Sequence, residues 1–113
     1  MYYIDTPTKK ILAYPFENET GALGEPSLVV DTGMAGWEGS PDGMTIDAAG
    51  KLWVAMCHGG SVLRIDPLSG DLLGQVDFPC VETTACAFGG PNLDRLFVTT
   101  GLHNTLEEPD AGM

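Results

Sequence analysis

The 113 residues carry 16 Asp and Glu against 5 Lys and Arg, a formal net charge of −11; this excludes an unaided nucleic-acid binder, because phosphate recognition needs a cationic face that releases condensed counterions. An apolar share of 43% is enough to build the core of one small domain, and a charged share of 19% is too low for a disordered chain. No apolar run approaches the roughly 18 residues of a membrane helix, and residues 1–5 show no basic segment leading into an apolar stretch, so a cytoplasmic protein with neither membrane nor nucleic-acid partners is expected.

Fifteen Gly and eight Pro punctuate the chain, and no segment shows the i, i+3, i+4 apolar stripe of a helix. The short β-prone runs between them predict strands, in chain order, over residues 2–5, 11–16, 27–31, 44–47, 52–56, 62–66, 73–78, 84–88 and 96–100. Two of the turns carry their own chemistry. Asp47 before Gly50, and Asp66 and Pro67 before Gly70, place an acidic side chain that caps a hairpin turn ahead of a glycine that takes its positive φ.

The predicted strands repeat. Tyr2, Tyr3, Ile4 corresponds to Leu52, Trp53, Val54 and to Leu96, Phe97, Val98; residues 11–14 correspond to 62–65, and 44–47 to 86–89. A period of roughly 40–50 residues with four short strands per unit marks a β-propeller blade. The fold expected is therefore all-β, with one complete blade over residues 44–78 and an incomplete blade on either side. At about 45 residues per blade this is about 2.5 blades, fewer than the four to eight that close a ring. The chain reads as one partial propeller domain over 1–113, from a fragment, a truncated isoform or an incomplete gene model.

Candidate chemistry centres on Ser40, Pro41, Asp42, Gly43, Met44 and the following Gly50, Lys51, Leu52, Trp53, Val54, Ala55. From its residue type, Asp42 in a Pro/Gly turn before a strand is either an Asx-turn cap or a carboxylate presented from a loop tip. This segment resembles the regucalcin family, also called senescence marker protein, which includes gluconolactonases and luciferin-regenerating enzymes. Residues Met1 to Asp5, Arg64, Asp66, Pro67, Thr83, Thr84, Phe88, Gly89, Gly90, Pro109 and Asp110 match the family's pattern in order along nearly the whole chain. The resemblance implies a six-bladed parent propeller, a divalent cation (Ca²⁺, or Zn²⁺, Mn²⁺ or Mg²⁺) on its axis, and hydrolysis of small sugar-acid lactones such as gluconolactone. It makes Asp42 a metal ligand that also serves catalysis by orienting or deprotonating a water. It also implies a Glu and an Asn as further ligands, and substrate-contacting Arg, Asn and Glu, that match no residue of this chain. The isolated chain is accordingly expected to be inactive. The alternative is a non-catalytic calcium-binding or truncated regulatory protein.

The remaining reactive side chains point elsewhere. Cys57, Cys80 and Cys86 are an odd number, so reduced thiols are expected; Cys80 and Cys86, six apart and not a C-x-x-C pair, read as buried thiols at strand ends. His58 and His103 lack zinc-ligand spacing and read as turn or solvated residues. No G-x-S-x-G elbow surrounds any serine. Trp53, Phe88 and Phe97 are expected to pack between blades, and Glu107, Glu108 and Asp110 to form a solvated loop.

Overall fold

A computed structural model of the chain describes residues 1–17 and 19–101. His103, Glu107, Glu108 and Asp110 lie outside the described residues. Short β-prone runs separated by turn residues leave the chain one economical way to satisfy its backbone, which is antiparallel pairing of sequence neighbours. The strands are β1 (Tyr2–Asp5), β2 (Lys10–Ala13), β3 (Ser27–Asp31), β4 (Ser40–Ile46), β5 (Leu52–Cys57), β6 (Ser61–Ile65), β7 (Leu72–Asp77), β8 (Thr83–Gly89) and β9 (Arg95–Thr100). The one helical element among the described residues is a single 3₁₀ turn, Thr6–Thr8.

The strands form three antiparallel sheets in the orders β1-β2-β3, β4-β5-β6-β7 and β8-β9, and no closed sheet occurs among the described residues. Strands matched by the sequence repeat occupy equivalent places. β4 and β8 each begin a sheet, and β5 and β9 each follow as the second strand; β1 and β2 pair as β5 and β6 do.

The middle sheet is covered on both faces, which explains why β5 reads as the unbroken apolar run Leu-Trp-Val-Ala-Met. Side chains alternate across a strand. Leu52, Val54 and Met56, with Leu63 and Ile65 opposite them, therefore pack with Ile11, Ile4 and Val30 of the first sheet. Ala55 and Val62 face the other way and pack with Cys86, Leu96 and Val98 of the third. Trp53 shares that second face and meets the Phe88 ring edge-on at 5.5 Å. Phe97 departs from expectation: it is 59% exposed, because the alternation that turns Leu96 and Val98 toward the middle sheet turns Phe97 away, where its ring lies over Gly89.

Asp47 ties the turn after β4 to the second face. Its Oδ1 accepts from the backbone N–H groups of Ala49 and Lys51, both at 2.9 Å. Its Oδ2 accepts from the Trp53 indole at 2.9 Å and from Arg64 Nε at 3.0 Å. Burial works to raise its pKa, but the Lys51 N–H, the indole and the guanidinium together outweigh it and hold the carboxyl at about 2. Asp66 caps its hairpin the same way, accepting from the Leu68 N–H at 3.0 Å.

The strand β4 differs from its predicted span by starting at Ser40 rather than at 44. Pro41 has no N–H to give to a ladder, and it is accommodated because β4 is the edge strand of its sheet. Pairing runs Ser40 with Cys57 and Pro41 with Met56, then resumes at Met44 with Val54. Asp42 and Gly43 thus oppose the single residue Ala55, a β-bulge.

Candidate metal centre

The expected loop-tip position of Asp42 is corrected by that bulge: Asp42 lies inside β4, not in a turn before it. The consequence for its carboxylate is similar, since a bulge re-aims a side chain out of the regular pleat. Asp42 is exposed, and among the described residues no group is hydrogen-bonded to its carboxylate. The neighbouring Gly43 permits the first strands of the second and third sheets to approach closely. A Cβ on Gly43 would lie 2.7 Å from Ala85 Cβ and 2.8 Å from the Thr84 carbonyl oxygen, both in β8. Asp42 therefore sits where the two sheet-initiating strands converge.

The same end of the middle sheet gathers the β5–β6 turn and the β7–β8 connection. Phe78 N–H donates to Gly60 O at 2.8 Å, and Gly60 N–H donates to Val81 O at 3.0 Å. The buried Thr83 hydroxyl lies 2.6 Å from Met56 O and 3.0 Å from Ser61 O, donating to one at a time. These bonds hold Glu82 over the turn, where Cys57 and Glu82 form an isolated β-bridge. Cys57 Sγ lies 3.1 Å from Glu82 Oε2, and His58 Nδ1 lies 2.5 Å from Glu82 Oε1. Burial, followed by the Glu82 carboxylate and more weakly by Asp42, pushes the Cys57 thiol up to about 11.

The three cysteines are free thiols, Cys80 and Cys86 buried and Cys57 half-buried; the expected strand-end placement is corrected, since Cys80 lies in the β7–β8 connection and Cys86 inside β8. His58 is a turn residue, as expected, with φ at +66°, but its pairing with Glu82 was not foreseen. Cys57 and His58 are adjacent in sequence and Glu82 follows in another connection; no ligand spacing announces the group. Two clefts of about 240 and 390 Å³ are lined, respectively, by residues including Trp37, Gly59 and Gln75 and by residues including Asp47, Phe88 and Asn92, and Asp42 borders neither.

As an exposed oxygen donor with no hydrogen bond among the described residues, Asp42 fits a hard divalent cation as one ligand. It supplies one carboxylate of a sphere that needs six to eight oxygens for Ca²⁺.

A family model described as the SMP-30/Gluconolactonase/LRE-like region matches residues 1–102. The chain belongs to this family. It is 42% identical over 112 residues to an uncharacterized protein of Sulfolobus acidocaldarius, covering 99% of this chain and 38% of that one. It is 39% identical over 117 residues to the putative sugar lactone lactonase YvrE of Bacillus subtilis, covering 99% of this chain and 39% of YvrE. Human regucalcin is 39% identical over 116 residues, covering 98% of this chain and 38% of regucalcin. The calcium-binding protein regucalcin from Agrobacterium tumefaciens superposes with a TM-score of 0.87 at 30% identity, over 98% of this chain and 39% of that one. A luciferin-regenerating enzyme superposes with a TM-score of 0.84 at 37% identity, over 88% and 33%. The chain thus spans about two fifths of the length of the curated relatives it matches.

Proposed function

We propose that this family member is a portion of a six-bladed, divalent-metal-dependent lactonase that hydrolyses sugar-acid lactones of the gluconolactone type. In this reading the three sheets correspond to about 2.5 blades, and Asp42 is the metal ligand and catalytic carboxylate that the chain contributes. The observation that carries the reading is the β4 bulge, which exposes a carboxylate with no hydrogen bond among the described residues beside the convergence of β4 and β8. The likeness to the putative sugar lactone lactonase YvrE and to a calcium-binding regucalcin supports the substrate class and the cation.

A divalent cation bound there supplies Lewis-acid polarisation of the lactone carbonyl and of the attacking water. Asp42 contributes a negative charge and an oxygen donor, orients the water through its second oxygen, accepts the proton released as the water adds to the carbonyl, and returns it to the ring oxygen as the lactone C–O bond breaks. The close approach at Gly43 keeps that carboxylate at the junction of two rigid strands rather than on a mobile loop.

The test is a chimera in which this chain replaces the matching segment of YvrE, assayed for gluconolactone hydrolysis with Ca²⁺, Mn²⁺, Zn²⁺ or Mg²⁺. Metal-dependent turnover is expected, falling by at least about 100-fold in the Asp42→Asn chimera, the range seen when a charge-stabilising group is removed from an active site. The 113-residue chain alone is expected to show none. Full activity in the Asp42→Asn chimera would sink the assignment. Calorimetric Ca²⁺ binding lost in Asp42→Asn without any hydrolysis would favour the alternative, a calcium-binding regulatory protein.

A further inference from the structure

Three side chains with metal-binding atoms meet at the end of the middle sheet without being part of the Asp42 reading. Cys57 Sγ, a His58 ring nitrogen and a Glu82 carboxylate oxygen all lie within 4.8 Å of one another. They come from two places that the fold clamps together: Cys57 ends β5 and His58 opens the turn that follows it, and the β7–β8 connection carries Glu82. The Glu82 side chain is only 12% exposed, whereas that of His58 is 53% exposed. The group is therefore anchored on its carboxylate and opens toward solvent on its imidazole side.

We propose that Cys57, His58 and Glu82 form a three-ligand site for a zinc-class transition-metal ion, with a solvent water in the fourth position. The donor types decide the ion. Thiolate and imidazole are ligands of Zn²⁺ and its neighbours, whereas Ca²⁺ and Mg²⁺ take oxygen throughout. The dimensions agree as well. Tetrahedral Zn²⁺ bonds of about 2.0–2.3 Å put ligand atoms about 3.3–3.6 Å apart. The sulfur-to-carboxylate separation is 3.1 Å and the imidazole-to-carboxylate separation is 2.5 Å. Both are hydrogen-bond lengths, which side-chain rotation opens to ligand spacing by an ångström or less. Binding exchanges protons for the ion: the thiol proton leaves to solvent, and the imidazole binds as the neutral ring through a nitrogen freed of its proton. The left-handed backbone at His58, φ +66°, keeps the imidazole on the turn above Glu82 rather than extending it along β5.

This site stands or falls independently of Asp42. The experiment is titration of the 113-residue chain with Co²⁺, a spectroscopic stand-in for Zn²⁺, with far-ultraviolet circular dichroism confirming β structure in every variant. A near-ultraviolet thiolate-to-cobalt charge-transfer band is expected, removed by added Zn²⁺ and unaffected by excess Ca²⁺. Cys57→Ser should abolish the band, and His58→Ala and Glu82→Gln should each weaken Co²⁺ binding by at least about tenfold, the minimum that even outer-sphere partners of a metal cost. A folded chain without the band would overturn the proposal. So would a band that persists in Cys57→Ser, since the thiolate would then belong to Cys80 or Cys86, and so would displacement by Ca²⁺.

Discussion

Replacing Asp47 by Asn tests how far one carboxylate holds the β4–β5 turn to the second face of the middle sheet. The wild-type carboxylate accepts four hydrogen bonds, from Ala49, Lys51, Trp53 and Arg64. Its pKa falls from 3.8 to about 2, and such a fall corresponds to about 2.4 kcal/mol of stability at neutral pH. The side chain retains 16% of its exposure, so solvent screening trims this to about 1.5–2 kcal/mol. Asn keeps the shape but removes the charge, and it turns one acceptor oxygen into an NH₂ that faces either the backbone donors or Trp53 and Arg64. A total loss of about 2–3 kcal/mol is expected at pH 7. Because the folded pKa is depressed, the wild-type advantage is complete above the unfolded value near 4 and disappears as pH falls through about 2. Urea unfolding followed by Trp fluorescence, run on both proteins at pH 7, 4 and about 2.5, reads the difference directly. Equal midpoints at pH 7, or a gap that stays constant down to the lowest pH, would refute the reasoning.

Two further substitutions contrast the core with the surface: Ile65→Ala removes a fully buried side chain and should cost about 2–5 kcal/mol, while Leu68→Ala, at a site 91% exposed, should change stability by less than about 0.5 kcal/mol; equal midpoints in urea would show the core to be misplaced. Gly43→Val puts a branched side chain where even a lone Cβ would lie 2.7 Å from Ala85 Cβ. It should destabilise by about 1–3 kcal/mol through separation of β4 from β8, and an unchanged melting temperature would mean that the two strands are not in contact. Asp42→Asn should leave stability within about 0.5 kcal/mol, because the carboxylate is exposed. A large loss of stability in calorimetry would recast Asp42 as a structural residue.

Much of the fold was legible because its signals are local. Tyr2–Asp5 and Ser27–Asp31 occupy their predicted spans, and the other strands shift by a few residues at their ends. The turn chemistry at Asp47 and Asp66 acts within five residues, so side-chain type and glycine position were sufficient to read it. The repeat carried the sheet order, since corresponding strands must bury corresponding faces. Asp42 was legible as a candidate through the segment around it. Its position inside β4 was not, because a proline at a strand start looks like a turn until the neighbouring strand is known to leave that edge unpaired.

What the sequence by itself determined is therefore the β character, the turns, the period, the acidic charge and the family. Tertiary structure alone decided the exposure of Phe97, which depends on which face a neighbouring sheet covers, and the bulge at Asp42, which depends on register against β5. It alone decided the meeting of Cys57 and His58 with Glu82, residues that share no periodic spacing. Those outcomes depend on contacts between separate strands and connections, and local propensity carries no record of which segments will face each other once two faces of one sheet are buried.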